Sequence, residues 1–430
     1  MKLFKIILGF ALISTVSATE IYNIDDLTIK AVENSPDLRI SSANYEASKS
    51  RYKQANANYL PKVDLHVSAG EVGTSNIPTN PDNMINDTLL LGKLSINQII
   101  YDFGKTSGNS DSLKYDSQSF SNEYKQNISD KKRDVKSAYY DVLKAIALIN
   151  VNKENVKLNK AQLYRSQKYF NAGIRTKIDI SDASVELIKS NLDLKKSQYD
   201  LKLAYAELDK VVGFEAIENN YRVYSKDLDL TNLYQTIQQY NLSLEDSVNF
   251  SYKNRYEIKK QMSQIKVAKA NNYLASSQYY PSIYLNADYT KQEVDKLKSS
   301  LPKDQWQASL NLDWNIYQGG ATDASTQEKK IKIDIANSNL AYSKLIIKTK
   351  TTQAYINVHK ARDSVELSQS ILQVSSEKFN QASKRYEHGL SDFIELQQSR
   401  QGYIDAMASL VVDYYNYYNS IAILDNAIGK

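Results

Sequence analysis

Asp304-Gln305-Trp306-Gln307-Ala308-Ser309-Leu310-Asn311-Leu312-Asp313-Trp314-Asn315-Ile316-Tyr317 alternates without a break. Trp306, Ala308, Leu310, Leu312, Trp314 and Ile316 fall on one face, and Gln307, Ser309, Asn311, Asp313 and Asn315 on the other. A period of two marks a strand, and the length, the aromatic ends and the apolar face together match a strand of a transmembrane barrel. Trp306 and Trp314, the only tryptophans, lie on the apolar face and suit a membrane interface. A soluble antiparallel sheet resting on helices also alternates, so the reading depends on the rest of the chain.

This stretch belongs to a repeat. From Tyr101 onward the chain matches itself at an offset of 216 residues, pairing Tyr101 with Tyr317, Gly104 with Gly320, Ala138-Tyr139 with Ala354-Tyr355, Gly173 with Gly389, and Leu208-Asp209 with Leu424-Asp425. Upstream the offset is 220, pairing Asn34 with Asn254, Tyr59 with Tyr279, Pro61 with Pro281 and Leu65 with Leu285. Four residues are therefore lost between Pro281 and Tyr317, where a loop between strands is free to vary. A copy this long is a duplicated unit rather than a short solenoid module. In the first copy Leu90, Leu94, Ile96 and Ile100 face one way, and Leu91, Lys93, Ser95, Asn97 and Tyr101 the other. Shorter alternating runs follow Pro61 (Val63, Leu65, Val67 against Asp64, His66, Ser68) and Pro281 (Ile283, Leu285, Ala287, Tyr289 against Tyr284, Asn286, Asp288). Each unit thus carries one hairpin, giving four strands per chain. Four strands cannot close around water, and open edges in lipid leave backbone groups unpaired, so several copies must share one barrel.

Between the strands the period changes. Val135, Val142, Ile149, Val156, Leu163 and Phe170 recur every seven residues, matched in the second unit by Thr351, Val358, Val365, Leu372, Phe379 and Tyr386. A second seam, Leu187, Leu194, Leu201 and Leu208, has the counterpart Tyr403, Leu410, Tyr417 and Leu424. A seven-residue stripe packs helices as a coiled coil. No proline and only Gly108 interrupts residues 105–172, which predicts a helix of about 68 residues, roughly 100 Å long. Shorter helices are expected from about Asp37 to Leu60 and from about Asp179 to Val212. A plain coiled-coil rod would explain the heptads but not the strands.

The bulk composition narrows the class. Lys2 and Lys5 precede an apolar run from Ile6 to Ile13 and the small residues Val16-Ser17-Ala18, the pattern of a secretory signal over residues 1–18. The expected layout is then a first repeat at 19–213, a joining segment at 214–242 and a second repeat at 243–430. With no cysteine there is no disulfide framework, thiolate site or lipidated cysteine. After the signal no stretch is apolar enough for a spanning helix, and the mean hydropathy is −0.51. The formal charge of +5 includes Lys2 and Lys5, and the remaining charges are interspersed, so nucleic acid is not an expected partner. His66, His359 and His388 are far apart and lack ligand spacing, which argues against a metal site or a catalytic triad. No cofactor motif is present either: Gly319-Gly320 is not followed by the Lys-Ser or Lys-Thr of a phosphate loop.

The duplicated order of helix, strand, strand, long helix, bend and helix carries a resemblance. So do Ile100-Tyr101-Asp102-Phe103-Gly104-Lys105 with its echo Ile316-Tyr317-Gln318-Gly319-Gly320, and the paired bends at Gly173 and Gly389. On these features the chain resembles the TolC family of outer-membrane efflux and secretion channels across essentially its whole length after the signal. The resemblance implies a mostly α fold with a membrane β-barrel. It implies a homotrimer whose protomers each give four strands to a 12-stranded barrel on a tunnel of 12 helical segments, with the joining segment forming an equatorial belt. Tyr101 and Tyr317 would end strands at the interface, and Gly104 and Gly320 would let the backbone turn from strand to helix.

The bends read Tyr169-Phe170-Asn171-Ala172-Gly173-Ile174-Arg175-Thr176-Lys177-Ile178-Asp179 and Arg385-Tyr386-Glu387-His388-Gly389-Leu390-Ser391-Asp392-Phe393-Ile394-Glu395. Glycine suits a helix stop, and the acids that follow (Asp179 and Asp182, Asp392 and Glu395) also suit a helix N-terminus through its dipole. The resemblance implies that this tip closes the tunnel through a tyrosine before the second glycine and an aspartate after the first, here Tyr386 and Asp179. Ser391 stands where the family has an arginine, and Gln398 where it has an acid, so Glu395 is the inward acid retained and Arg175 is the candidate replacement. Gly173, Ile174, Gly389 and Leu390 are the expected adaptor-binding tip. The function expected is a passive exit duct working with a periplasmic adaptor and an inner-membrane pump of RND, ABC or MFS type. The alternative is a periplasmic coiled-coil adaptor without a barrel; no catalytic constellation supports an enzyme.

Overall fold

The computed structural model describes residues 20–74, 85–215, 221–226, 228–294 and 303–430. The signal at 1–18 and the site of the four-residue loss, between the paired strands, lie outside the described residues. In chain order the elements are β1 (Glu20–Tyr22), α1 (Ile24–Asn34), α2 (Pro36–Asn56), β2 (Lys62–Thr74), β3 (Ile85–Tyr101), α3 (Lys105–Asn171) and α4 (Lys177–Val212). There follow β4 (Tyr221–Val223), α5 (Leu244–Asn254), α6 (Tyr256–Ser276), β5 (Ser282–Val294), β6 (Asp304–Asp313), α7 (Ala321–Glu387) and α8 (Phe393–Ile428). Both α3 and α7 have 67 residues, and both α4 and α8 have 36. Contacts gather the chain into two compact units, one of Met1–Leu38, Asn127–Asn254 and Ile347–Lys430, the other of Arg39–Gln126 and Arg255–Ile346.

The second of these units holds an antiparallel sheet in the order β2-β3-β5-β6. Its register places Val63, Ile96, Ala287 and Ala308 in one row, and Leu65, Leu94, Tyr289 and Trp306 in the next. The opposite face carries rows such as Asp64, Ser95, Asp288 and Gln307. There Asp288 accepts a hydrogen bond from the Ser95 hydroxyl at 2.6 Å and lies 3.2 Å from Lys93 Nζ. The apolar face is bare: Val63, Leu65, Val67, Leu310 and Leu312 are exposed, and Trp306 is 79% exposed.

Two details correct the alternation. The strand β6 ends at Asp313, so Trp314 and Ile316 lie beyond it; the Trp314 indole N–H instead donates to the Tyr279 carbonyl at 3.1 Å. In β3 the pairing shifts between Ile99 and Tyr101, leaving Ile100 as an extra residue. That bulge sets Tyr101 opposite Ile283 on the apolar face, whereas strict alternation put it with the polar residues.

The bulge leads into a tight turn. Phe103 (φ 50°) and Gly104 (φ 104°) both have left-handed backbone, matched by Gly319 (61°) and Gly320 (84°) in the second copy. Phe103 accepts a conformation in which glycine is at ease, and its ring stacks on Tyr280 at 5.4 Å with Tyr101 edge-on at 4.6 Å. The buried carboxylate of Asp102 accepts the Thr106 N–H at 2.7 Å and so caps α3. The helices of this unit then pack through small polar residues: Ser48 meets Ser117 at 3.1 Å, Ser110 donates to Asn56 at 2.5 Å, and Gln264 donates to Ser119 at 2.8 Å.

In the other unit the seams are hydrophobic. Leu27 and Ala31 of α1 pack with Val135, Ala138, Tyr139 and Val142 of α3 and with Leu208, Val211 and Val212 of α4. Val358, Val365 and Leu372 of α7 pack with Leu410, Tyr417 and Leu424 of α8, joined by Leu233 and Ile237. Each such side chain, fully buried, contributes about 1.5–3 kcal/mol. The expected α4 seam is buried at Leu208, but Leu187, Leu194 and Leu201 are half-buried and beside them Ala183, Ser190 and Ser197, also seven apart, are the buried residues. Small side chains permit the closer backbone approach. Strands β1 and β4 pair in parallel beside this core, and the Tyr221 hydroxyl donates to Asp209 at 2.7 Å.

An added Cβ at Gly104 would sit 2.5 Å from the Tyr273 ring, whereas at Gly320 nothing among the described residues lies within 4 Å. Both positions charge alanine about 1–2 kcal/mol for its left-handed backbone, but only Gly104→Ala must also displace a ring. Heat-induced unfolding in detergent should therefore show a larger loss of midpoint for Gly104→Ala than for Gly320→Ala; equal losses would place the constraint in the backbone alone.

Candidate functional site at the helix bends

The bends lie within the unit that holds the hydrophobic seams. Helix α3 stops because Gly173 turns left-handed (φ 72°), letting the Ile174 N–H reach the Tyr169 carbonyl at 2.9 Å and the Gly173 N–H the Phe170 carbonyl at 2.9 Å. Helix α7 stops in the same way at Gly389 (φ 71°), with Leu390 N–H to Arg385 at 2.8 Å and Gly389 N–H to Tyr386 at 3.2 Å. The restarts differ. Asp392 caps α8 by accepting the Glu395 N–H at 2.8 Å, while Thr176 precedes α4 without a side-chain cap.

The last residues of the two long seams have opposite fates. Phe170 is 42% exposed, while its counterpart Tyr386 is 1% exposed. Tyr386 is packed with Ala183 of α4 and with Phe393 and Leu396 of α8, flanked by Leu163, Tyr169 and Phe379. Its hydroxyl is buried close to Ser166 and Gln162 but has no well-formed hydrogen bond among the described residues. Burial pushes the phenol above its ordinary pKa, and the nearby Asp179 adds to the rise; Ser166, Arg175 and Gln162 partly oppose it.

Arg175 joins the two bends. Its Nη2 donates to the Ser391 carbonyl at 2.8 Å, and its guanidinium lies 4.8 Å from the centre of the Tyr386 ring. Glu395 is half-buried and meets Arg385 Nε at 3.5 Å. Arg385 also donates to the Leu390 carbonyl at 3.3 Å, and Arg165 of α3 pairs with Glu387 at 2.9 Å. Arg385 and Arg165 were not singled out from the sequence, where each reads as one more charge on a heptad face. Asp179 is half-buried, Asp182 exposed, and neither forms a salt bridge among the described residues. Ile174, Ile178, Leu390 and Ile394 leave an exposed apolar rim on the bends.

The remaining expected residues lie on the sheet and its turns: Trp306 on the apolar face, Trp314 just past β6, Tyr101 beside the bulge, and Gly104 and Gly320 in the strand-to-helix turns. Tyr317 is exposed. Among the described residues there is no His, Cys, Asp and Glu group able to hold a metal, and no helix long and apolar enough to cross a membrane.

A duplicated helical chain with an outward-apolar sheet and buttressed helix bends is the anatomy of an outer-membrane channel. The family model described as outer membrane efflux protein matches residues 27–214 and 251–430, and the chain belongs to that family. Outer membrane protein TolC of Vibrio cholerae is 23% identical over 446 residues, covering 100% of this chain and 95% of the relative. Among solved structures, CusC is similar with a TM-score of 0.83 at 16% identity, covering 96% of this chain and 93% of that one. The CmeC channel of Campylobacter jejuni gives 0.81 at 16% identity, covering 94% and 85%. The open-state MtrE channel of Neisseria gonorrhoeae gives 0.76 at 15% identity, covering 94% and 88%. The protein is thus an outer-membrane efflux channel component of a Gram-negative bacterium, an exit duct rather than a periplasmic adaptor or an enzyme.

Arg175→Ala removes a charge-assisted hydrogen bond and a cation–π contact, together roughly 1–3 kcal/mol. Amide exchange across residues 388–392 should accelerate about tenfold or more, with Arg175→Lys between that and the parent. Unchanged exchange would mean that the link is idle.

Proposed function

We propose that three copies of this chain build one conduit. The observation that carries this reading is the sheet: four strands with a bare apolar face and, among the described residues, no strand paired to the outer edge of β2 or of β6. In lipid, unpaired backbone groups cost several kcal/mol each, so the edges must be joined across copies. Three chains supply 12 strands, the barrel expected of the family. The helices carry a parallel signal. Ile178, Val185, Leu192 and Tyr199 of α4 recur every seven residues and are exposed, as are Leu367 and Val374 of α7. Such seams need a partner helix, and a neighbouring copy supplies it. In this reading the repeats at 19–213 and 243–430 give six near-equivalent hairpins around an axis, with 214–242 as the belt and the helical part extending into the periplasm.

The bends are the periplasmic gate. Tyr386, Asp179, Asp182, Glu395 and Arg175 restrain it, with Arg175 of the first repeat taking the place of the arginine missing at Ser391. The exposed rim around Gly173, Ile174, Gly389 and Leu390 receives a periplasmic adaptor, and an inner-membrane pump of RND, ABC or MFS type drives cargo into the duct. Trp306, Trp314, Tyr101 and Tyr317 meet outer-membrane lipid.

The buried Tyr386 hydroxyl lies near Ser166 and Gln162 without a well-formed hydrogen bond among the described residues, so Tyr386→Phe removes little from the packing of the bends. Tyr386→Phe combined with Asp179→Ala should raise single-channel conductance of the purified protein in planar bilayers several-fold. Unchanged conductance would sink the gate assignment, and recovery of the parent from the soluble periplasm without detergent would sink the conduit.

A further inference from the structure

A buried ion pair behind the bends is left unused by the gate as drawn so far. Arg400 of α8 is 3% exposed, and its Nη2 lies 3.8 Å from Oε2 of Glu186 on α4, whose side chain is 12% exposed. The Arg400 Nε is buried without a hydrogen bond among the described residues. Burial holds the guanidinium below its ordinary pKa, and Glu186 opposes that shift. Glu186 also takes Lys189 of its own helix at 2.9 Å, but that lysine is largely exposed.

The pair has no echo in the repeat. At the 216-residue offset Arg400 corresponds to Ser184, and Glu186 to Gly402, so the contact cannot recur at the equivalent positions and is built from one residue of each repeat. Around it lie small or apolar residues, with Ala183 packed on Phe393 and Leu396, and Ser399 buried beside Arg400. No apolar packing demands a charge here. The energetics suit a two-position element: when α4 and α8 separate, both ions regain water, which offsets much of the lost attraction, whereas an apolar contact would gain nothing.

We infer that Glu186 and Arg400 are positioning residues that hold α4 against α8 behind the bends and keep the periplasmic tip closed. The inference rests on the gate reading above. It separates the roles of the two layers: Tyr386 and Arg175 order the bends, and the ion pair ties the two helices that leave them. Where the pair sits, parting the helices returns a carboxylate and a guanidinium to water, which solvates both.

The test uses the purified full-length protein in planar bilayers, with heat-induced unfolding followed on the same samples. Glu186→Gln and Arg400→Gln should raise single-channel conductance several-fold, and Glu186→Asp, which only shortens the reach, should give a smaller rise. The exchange Glu186→Arg with Arg400→Glu keeps both charges and should return conductance towards the parent value. Unchanged conductance in Glu186→Gln and Glu186→Asp overturns the inference, as does a fall in unfolding midpoint with no change in conductance. Failure of the exchange to restore the parent value also overturns it. Tyr386→Phe with Asp179→Ala, measured in parallel, separates the two layers. If that channel opens and the ion-pair variants do not, the inference fails while the gate stands; if neither opens, both fail.

Discussion

Backbone hydrogen bonding in lipid is the constraint on which the rest of this molecule depends. Inside the sheet every strand has a neighbour, and the rows Leu65-Leu94-Tyr289-Trp306 and Val63-Ile96-Ala287-Ala308 offer lipid a continuous apolar surface. At β2 and β6 that logic stops, because one side of each strand has no partner among the described residues. Charged or proline-rich edges would protect a soluble protein from pairing. Here the edge strand β6 presents Trp306, Leu310 and Leu312 instead. In the assembly proposed above, another copy pairs with these edges and covers the exposed seam on α4.

Going from sheet to helix imposes the second constraint. A chain leaving a strand must reverse its backbone sense over two residues, and Phe103-Gly104 and Gly319-Gly320 do so with two left-handed positions each. The first copy uses a phenylalanine for one of them, offset by stacking on Tyr280 and by the Asp102 cap; the second uses two glycines and no aspartate. The two turns share a shape but not its chemistry. Beyond the first turn the helices begin on serine contacts, Ser48 to Ser117 and Asn56 to Ser110, and the hydrophobic seam starts only at Val135. Close approach of small residues allows tight packing without a thick apolar core.

How much of this could be read beforehand follows from which forces are periodic. The heptads from Val135 to Val156 and from Val358 to Leu372 located the buried seams because helix packing repeats along the chain. Glycines in the bends located the helix stops for an equally local reason. The Ile100 bulge was illegible, since an extra residue is a property of pairing with β5 and not of β3 alone. The α4 seam was right at Leu208, but towards the bend Ala183, Ser190 and Ser197 are more deeply buried than the leucines beside them, a stripe missed because leucines signal burial more loudly than small residues. At the site, Tyr386, Asp179 and Arg175 came from the resemblance and the repeat, but Arg385, Arg165 and Arg400 did not. Nothing in a sequence distinguishes an arginine that crosses to another helix from one that faces water.

Near-symmetry and its breaking act at different levels of the fold. Equal helix lengths, equal stops and matching seams give two hairpins that are interchangeable as building material. At the bends the copies diverge wherever an interaction joins one to the other. Phe170 is exposed where Tyr386 is buried, and Arg175 bonds to the backbone of Ser391, its own counterpart. The acceptor is a backbone carbonyl that any residue at 391 would offer, so only the donor is specific to one copy, and an arginine at both positions would set two like charges at one junction. Divergence at these positions lets one arginine cross between the bends without a like charge opposite it, and lets one aromatic ring be buried where its counterpart is exposed.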